Sequence, residues 1–63
     1  MLFFMKKLAL MRKQRGMSQT ALAAALRTSQ SNVCKWEKGH NTPRPNTVTR
    51  ISQVLCCKES ELL

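Results

Sequence analysis

The sequence predicts an all-α domain, and three observations carry that expectation. No segment alternates apolar and polar residues as a half-buried strand must. Apolar residues instead recur at three- and four-residue spacing, the period of one helix face. Between the periodic segments stand residues that start or stop helices: Gly16, Ser18, Ser29, Gly39 and Pro45. Five helical segments result, all within a single domain.

The first segment runs from about Met5 to Gln14 or Arg15, with Leu8, Met11 and one of Ala9 or Leu10 as its buried stripe. Gly16 follows where a glycine commonly closes a helix. Ser18 is a good N-cap for the second segment, which ends at Leu26. Leu22, Ala23 and Leu26 form its inner face, and its run of alanines favours a helix and lets a neighbour approach closely. Arg27, Thr28 and Ser29 read as a tight turn, and Ser29 caps a third segment from Gln30 to Glu37. Val33 and Trp36 point one way from it, while Gln30, Ser31, Lys35 and Lys38 can point the other. Gly39 stops this helix, and His40 to Pro43 form a loop. Pro45 fits only near the start of the fourth segment, where its missing N–H costs nothing, and it keeps Arg44 extended. Val48, Ile51, Val54 and Leu55 mark the buried face, and the helix should end near Cys56. Lys58 to Leu63 makes a last short segment, with Glu59 and Glu61 early, where the helix dipole favours acids. Residues 1–4 read as a loose extension, so the domain occupies residues 5–63.

Segments two and three together form a helix-turn-helix pattern at about residues 18–37. They lie in a chain with 11 Lys and Arg against 3 acidic residues, a net charge of +8. Ten of those basic residues lie at or before Arg50, and Glu37 is the lone acid of that stretch. Charge this lopsided attracts polyanions, with nucleic acid the leading partner. A membrane surface is the weaker rival, because no apolar run approaches the ~20 residues of a span. Met1 to Met5 is apolar, but Lys6 and Lys7 follow it, whereas a signal peptide puts its charge first. With no targeting signal the expected location is the cytoplasm. Three cysteines without a C-x-x-C spacing or a histidine cluster argue against zinc and against a disulfide framework. No cysteine–histidine pair, paired carboxylates or glycine-rich phosphate loop supports catalysis. No metal, cofactor or small-molecule ligand is therefore expected.

At these residues the chain resembles the lambda-repressor/Cro-like helix-turn-helix family, also called the XRE family. The likeness covers Leu8 to Leu63. It is carried by Leu8, Met11 and Arg12, then Gly16-Met17-Ser18-Gln19, Leu22-Ala23, Ser29, Val33, Trp36-Glu37-Lys38-Gly39, Pro43, Val48, Ile51, Val54-Leu55 and Glu61-Leu62. The resemblance implies a compact five-helix DNA-binding domain. Two departures stand out: Arg27 and Cys56 replace glycines common in the family. The Arg27 position tends to need positive φ, a cost of about 1 kcal/mol for a side-chain-bearing residue.

The resemblance places Gln30, Ser31 and Lys35 on the DNA-facing side of the third helix, and their chemistry agrees. Glutamine pairs with adenine through N6 and N7, lysine donates to guanine O6 and N7, and serine serves either. The bland alternative is a solvated polar face. Gln19 is implied to touch a phosphate and brace Gln30. Thr28, Asn32, Lys38, Asn41, Thr42 and Arg44 are further phosphate candidates, and Lys6 and Lys7 can reach phosphates from the N-terminal end. Arg12 and Glu37 are implied to form an ion pair joining helix one to helix three. Trp36 reads as core rather than a stacking platform, and His40 as an exposed loop residue. One recognition helix reads only a few base pairs, so a homodimer on an approximate palindrome is expected. Val54, Cys57, Leu62 and Leu63 are the candidate interface, with core burial as their alternative. The functional expectation is a sequence-specific double-stranded-DNA-binding transcription regulator, a Cro-like repressor. The alternative is a protein-interaction module, such as an antitoxin or adaptor, on the same fold.

Overall fold

The computed structural model describes residues 7–62. The expected extension, the helix start at Met5, the phosphate candidate Lys6 and the interface candidate Leu63 lie outside the described residues. Within them stand four α-helices: α1 (Leu8–Gln14), α2 (Gln19–Leu26), α3 (Gln30–Lys38) and α4 (Pro45–Leu55). The fifth segment is not an α-helix but a single 3-10 turn, Glu59–Leu62. Four residues are too few to close successive i→i−4 bonds, and the tighter i→i−3 geometry serves in short pieces. Glu61 accepts from the Lys58 N–H at 3.1 Å and fixes the start of that turn.

Each helix starts and stops for a local reason. Ser18 Oγ accepts from the Ala21 N–H at 3.0 Å, and Ser29 Oγ from the Asn32 N–H at 3.3 Å. Pro45 occupies the first turn of α4, preceded by Arg44 at φ −65° and ψ 155°. The C-terminal ends of α2, α3 and α4 close alike. Arg27 (φ 57°), Gly39 (φ 78°) and Cys56 (φ 53°) turn left-handed. The next N–H then reaches back: Thr28 to the Ala23 carbonyl, His40 to Lys35 and Cys57 to Ser52, at 2.9, 2.9 and 3.0 Å. Only Gly39 of the three meets that geometry without a Cβ penalty.

All four helices and the 3-10 turn share one core of Leu8, Met11, Leu22, Ala23, Leu26, Val33, Trp36, Ile51, Leu55 and Leu62. Of the two candidates for α1's stripe, Ala9 is half-buried and Leu10 is 54% exposed, so Leu10 faces outward. Val48 and Val54 pack only against the rim of the core. Ser52 takes the buried place beside Ile51, its hydroxyl donating to the Thr49 carbonyl at 2.6 Å. The Lys7 N–H donates to the Leu62 carbonyl at 3.2 Å, so the approach to α1 meets the last turn. Arg15 caps α4: its Nε donates to the Leu55 carbonyl at 2.6 Å and its second arm to the Cys56 carbonyl at 3.2 Å. A cation at a helix C-terminus meets the carbonyls that the helix leaves unpaired.

Candidate nucleic-acid interface

Burial of Val33 and Trp36 fixes the rotation of α3 about its axis. At about 100° per residue, that places Ser31, Lys35 and Lys38 on the opposite face. All three are exposed, as is Gln30 at the start of the helix. Cys34 lies between the two faces and is half-buried.

The inner edge of α3 is anchored by an ion pair. Arg12 Nε donates to Glu37 Oε2 at 2.7 Å, and its Nη2 donates to Oε1 at 3.2 Å. The remaining Arg12 arm donates to the Met17 carbonyl at 2.8 Å. The two side chains keep only 9% and 8% of their surface, so the pair is nearly dry. Burial pushes the Glu37 carboxyl up, but hydrogen bonds from Arg12 and Gln19 and the charges of Arg12 and Lys13 outweigh it. The net effect is a pKa below the ordinary carboxylate value. Cys57 moves the other way: burial and the charge of Glu61 push its thiol up, so it stays protonated at neutral pH.

From Glu37 a chain of hydrogen bonds runs outward to the tip of α3. Gln19 Nε2 donates to Glu37 Oε1 at 3.0 Å. Gln30 Nε2 donates to Gln19 Oε1 at 2.6 Å. The order of donors follows from the carboxylate. Ionised Glu37 only accepts, so the Gln19 amide turns its nitrogen inward and its oxygen outward. Gln30 must then offer an N–H to that oxygen. Among the described residues this leaves its own carbonyl oxygen and its second N–H without partners. One acceptor beside one donor is the pair that adenine N6–H and N7 require.

The remaining candidates form a second group. Asn32 Nδ2 donates to Thr28 Oγ1 at 2.8 Å, tying the turn to α3. Thr28, Asn32, Asn41, Thr42 and Arg44 line one surface concavity of about 400 Å³ between the α2–α3 turn, the loop after α3 and the start of α4. The Asn41 side chain accepts from the Thr42 N–H at 3.0 Å and shapes that loop. Lys38 is not part of the concavity and stands apart on the outward face. Arg27 and Arg50 also line it, and neither was singled out as a contact from the sequence. The three-residue spacing of Arg44, Thr47 and Arg50 was the available signal for Arg50, since it puts all three on one stripe.

The interface candidates divide. Val54 and Cys57 are half-buried. Leu62 is fully buried within the core, so its side chain is not presented to a second copy. No helix among the described residues is long and apolar enough to cross a membrane.

A family model described as helix-turn-helix matches residues 8–62 of the chain. No curated protein matches it.

Proposed function

The chain belongs to the lambda-repressor/Cro-like (XRE) helix-turn-helix family of DNA-binding domains, and from that membership we propose that it is a sequence-specific transcription regulator that binds duplex DNA through α3. In this reading Gln30, Ser31 and Lys35 meet base edges in the major groove. Gln19, Thr28, Asn32, Lys38, Asn41, Thr42 and Arg44 meet phosphates on either side. The observation that carries the reading is the hydrogen-bonded chain from Glu37 through Gln19 to Gln30. It presets a base-reading amide at the exposed tip of a helix whose other face is core. A purely structural helix has no need of such an arrangement.

The regulator acts as a Cro-like repressor in the cytoplasm, and two copies bind one palindromic operator. In that arrangement the two recognition helices lie about 34 Å apart, one turn of the duplex. Repression follows when that operator overlaps a promoter.

Selection of binding sites from a random duplex pool tests this reading. Gln30→Ala and Lys35→Ala should each relax the preference at one or two base positions, a loss of about 1–3 kcal/mol of discrimination. Lys38→Ala should weaken all sequences equally. A pool that never converges, with every duplex bound alike, would shift the weight to the protein-interaction reading.

A further inference from the structure

α4 ends in two adjacent cysteines that face opposite ways. Cys56 is the left-handed residue of the helix closure, and its N–H donates to the Gln53 carbonyl at 3.3 Å. Cys57 follows, its N–H on the Ser52 carbonyl at 3.0 Å. This double closure turns the second residue back onto the helix. Cys57 accordingly packs against the core, whereas Cys56 stands exposed. Disulfides usually span Cα atoms ~4.4–6.8 Å apart, beyond the ~3.8 Å of neighbours across a trans peptide. A bond between Cys56 and Cys57 would therefore have to open the closure. Burial and the charge of Glu61 also keep the Cys57 thiol protonated, and the thiolate is the attacking form.

The chain's charge cancels around the same end of α4. Arg15 bonds the Leu55 and Cys56 carbonyls there, and Lys58 opens the last turn. Glu59 and Glu61 belong to that turn, and Glu59 accepts from the Thr49 hydroxyl of α4 at 3.0 Å. Two bases and two acids balance, so the whole net charge of +8 lies elsewhere in the chain. Two copies of so basic a chain repel across most of their surface and approach at least cost here. Val54 and Cys57, both half-buried, offer apolar surface beside Cys56. The other end of α4 lines the hollow that holds the phosphate candidates. At ~1.5 Å per residue, this 11-residue helix holds Cys56 about 16 Å from that edge. A contact at Cys56 leaves α3 free for DNA.

We infer that Cys56 is a redox site whose disulfide partner is the Cys56 of a second copy, joining two chains at the ends of their α4 helices. The inference rests on the dimer reading above. A low-molecular-weight disulfide of the glutathione type is the oxidant, and it acts through two exchanges. The Cys56 thiolate attacks one sulfur of that disulfide, forms a mixed disulfide and releases one small thiolate. The Cys56 thiolate of the second copy attacks the Cys56 sulfur of the mixed disulfide, forms the bond between chains and releases the second small thiolate. Two Cys56 thiols are oxidised, one small disulfide is reduced, and the two cysteine protons end on the two small thiols. Cys57, held inside the closure, does not intercept the mixed disulfide. In a reducing compartment the bond forms only when oxidant rises, so it acts as a signal. The linked chains then present two recognition helices to one duplex as a single unit.

The test uses wild type, C34A, C57A, C56S and C56S/A25C at low micromolar concentration, the last carrying its new thiol at an exposed position of α2. Each is equilibrated with reduced and oxidised glutathione and resolved by non-reducing electrophoresis and intact mass. Wild type, C34A and C57A should give the linked dimer. C56S should stay monomeric, and C56S/A25C should stop at the glutathione adduct. A linked dimer in C56S, an equal yield from C56S/A25C, or a wild type that ends as an adduct or an internal disulfide overturns the assignment. Gel shifts on a duplex with two half-sites supply the second readout. Linked wild type should bind about 100-fold tighter than reduced wild type, and reductant should reverse the gain. Linked chains that bind no tighter overturn the coupling to DNA. Reduced chains that pair on two half-sites but never link overturn the redox site and leave the dimer standing. Reduced chains that bind one and two half-sites alike, with no link formed, overturn both.

Discussion

Arg12 and Glu37 show how a single pair both braces the core and anchors the hydrogen-bonded chain through Gln19 to Gln30. Both side chains are almost fully buried, so removing either strands a charge in a dry environment. Arg12→Ala or Glu37→Ala should therefore cost about 3 kcal/mol or more. That is a large share of the ~5–15 kcal/mol that folded domains of any size usually possess. Chemical denaturation of each variant measures it, and a loss under 1 kcal/mol would mean the pair is wet in solution. The same pair sets an acid limit. The folded-state pKa of Glu37 lies below its unfolded value. Its contribution is therefore complete above the unfolded carboxylate pKa of about 4.3 and disappears as pH falls through the lower folded value. Tm should drop between neutral pH and pH ~3, and Glu37→Gln should flatten that part of the curve. Loss of charge on Glu37 also removes the reason for the donor order of Gln19 and Gln30, so the orientation of the Gln30 amide at the tip of α3 is coupled to a buried ionisation.

Helix ends, more than helix interiors, distinguish this chain. α2, α3 and α4 use the same left-handed closure, but two of the three lack the glycine that suits it. The Cys56 thiol makes no hydrogen bond beyond a long contact to the Gln53 carbonyl at 3.8 Å, and the Arg15 bond at this residue goes to its backbone carbonyl, which a glycine keeps. Cys56→Gly should therefore stabilise the domain by about 1 kcal/mol. At this chain length that corresponds to a Tm rise of about 4–8 °C, measurable by thermal denaturation. An unchanged or lower Tm would show that Arg15 capping, or the greater freedom of an unfolded glycine, offsets the relief. Gly16 presents the converse case. A Cβ there would meet nothing within 4 Å, so its φ of 68° alone, not a close approach, accounts for glycine. The capped starts are the conventional half of the design: Ser18 and Ser29 each satisfy an N–H that the helix cannot.

The molecule as a whole depends on its last turn more than its length suggests. Leu62 is fully buried and the Lys7 N–H bonds its carbonyl, so the turn closes the core under α1 and α4. Leu62→Ala should cost about 2–5 kcal/mol, by lost transfer energy and the cavity left behind. For a chain of 63 residues, which buries a smaller fraction of its surface than a larger domain, that can unfold a substantial population at 37 °C. Circular dichroism melting decides it. The proposed dimer is tested on DNA. A duplex with two half-sites one turn apart should bind with a steeper concentration dependence than a single half-site, by gel shift or fluorescence anisotropy. Superimposed curves, and one copy per duplex by analytical ultracentrifugation, would remove the dimer from the proposal.

Much of this architecture was legible in the residues in order. The starts of α2, α3 and α4 follow from Ser18, Ser29 and Pro45, and the inward rotation of α3 from Val33 and Trp36. The final segment was misjudged as a fifth helix because its acids and apolar residues suit a helical turn of either pitch, and only length separates them. Leu62 was left between interface and core because spacing within a four-residue turn cannot say which side faces inward, and its burial favours the core alternative. The roles of Arg15 and the grouping of Arg27, Arg44 and Arg50 were invisible for a related reason. Their partners lie across the fold: Arg15 bonds a carbonyl 40 positions away, and the three arginines meet only because α4 packs against α2. Sequence alone determined what nearest neighbours control: helical period, caps, stops, the amphipathic face of α3 and the net charge. Tertiary structure alone decided which side chains converge, because convergence depends on packing angles that distant apolar contacts set together, and no local signal encodes them.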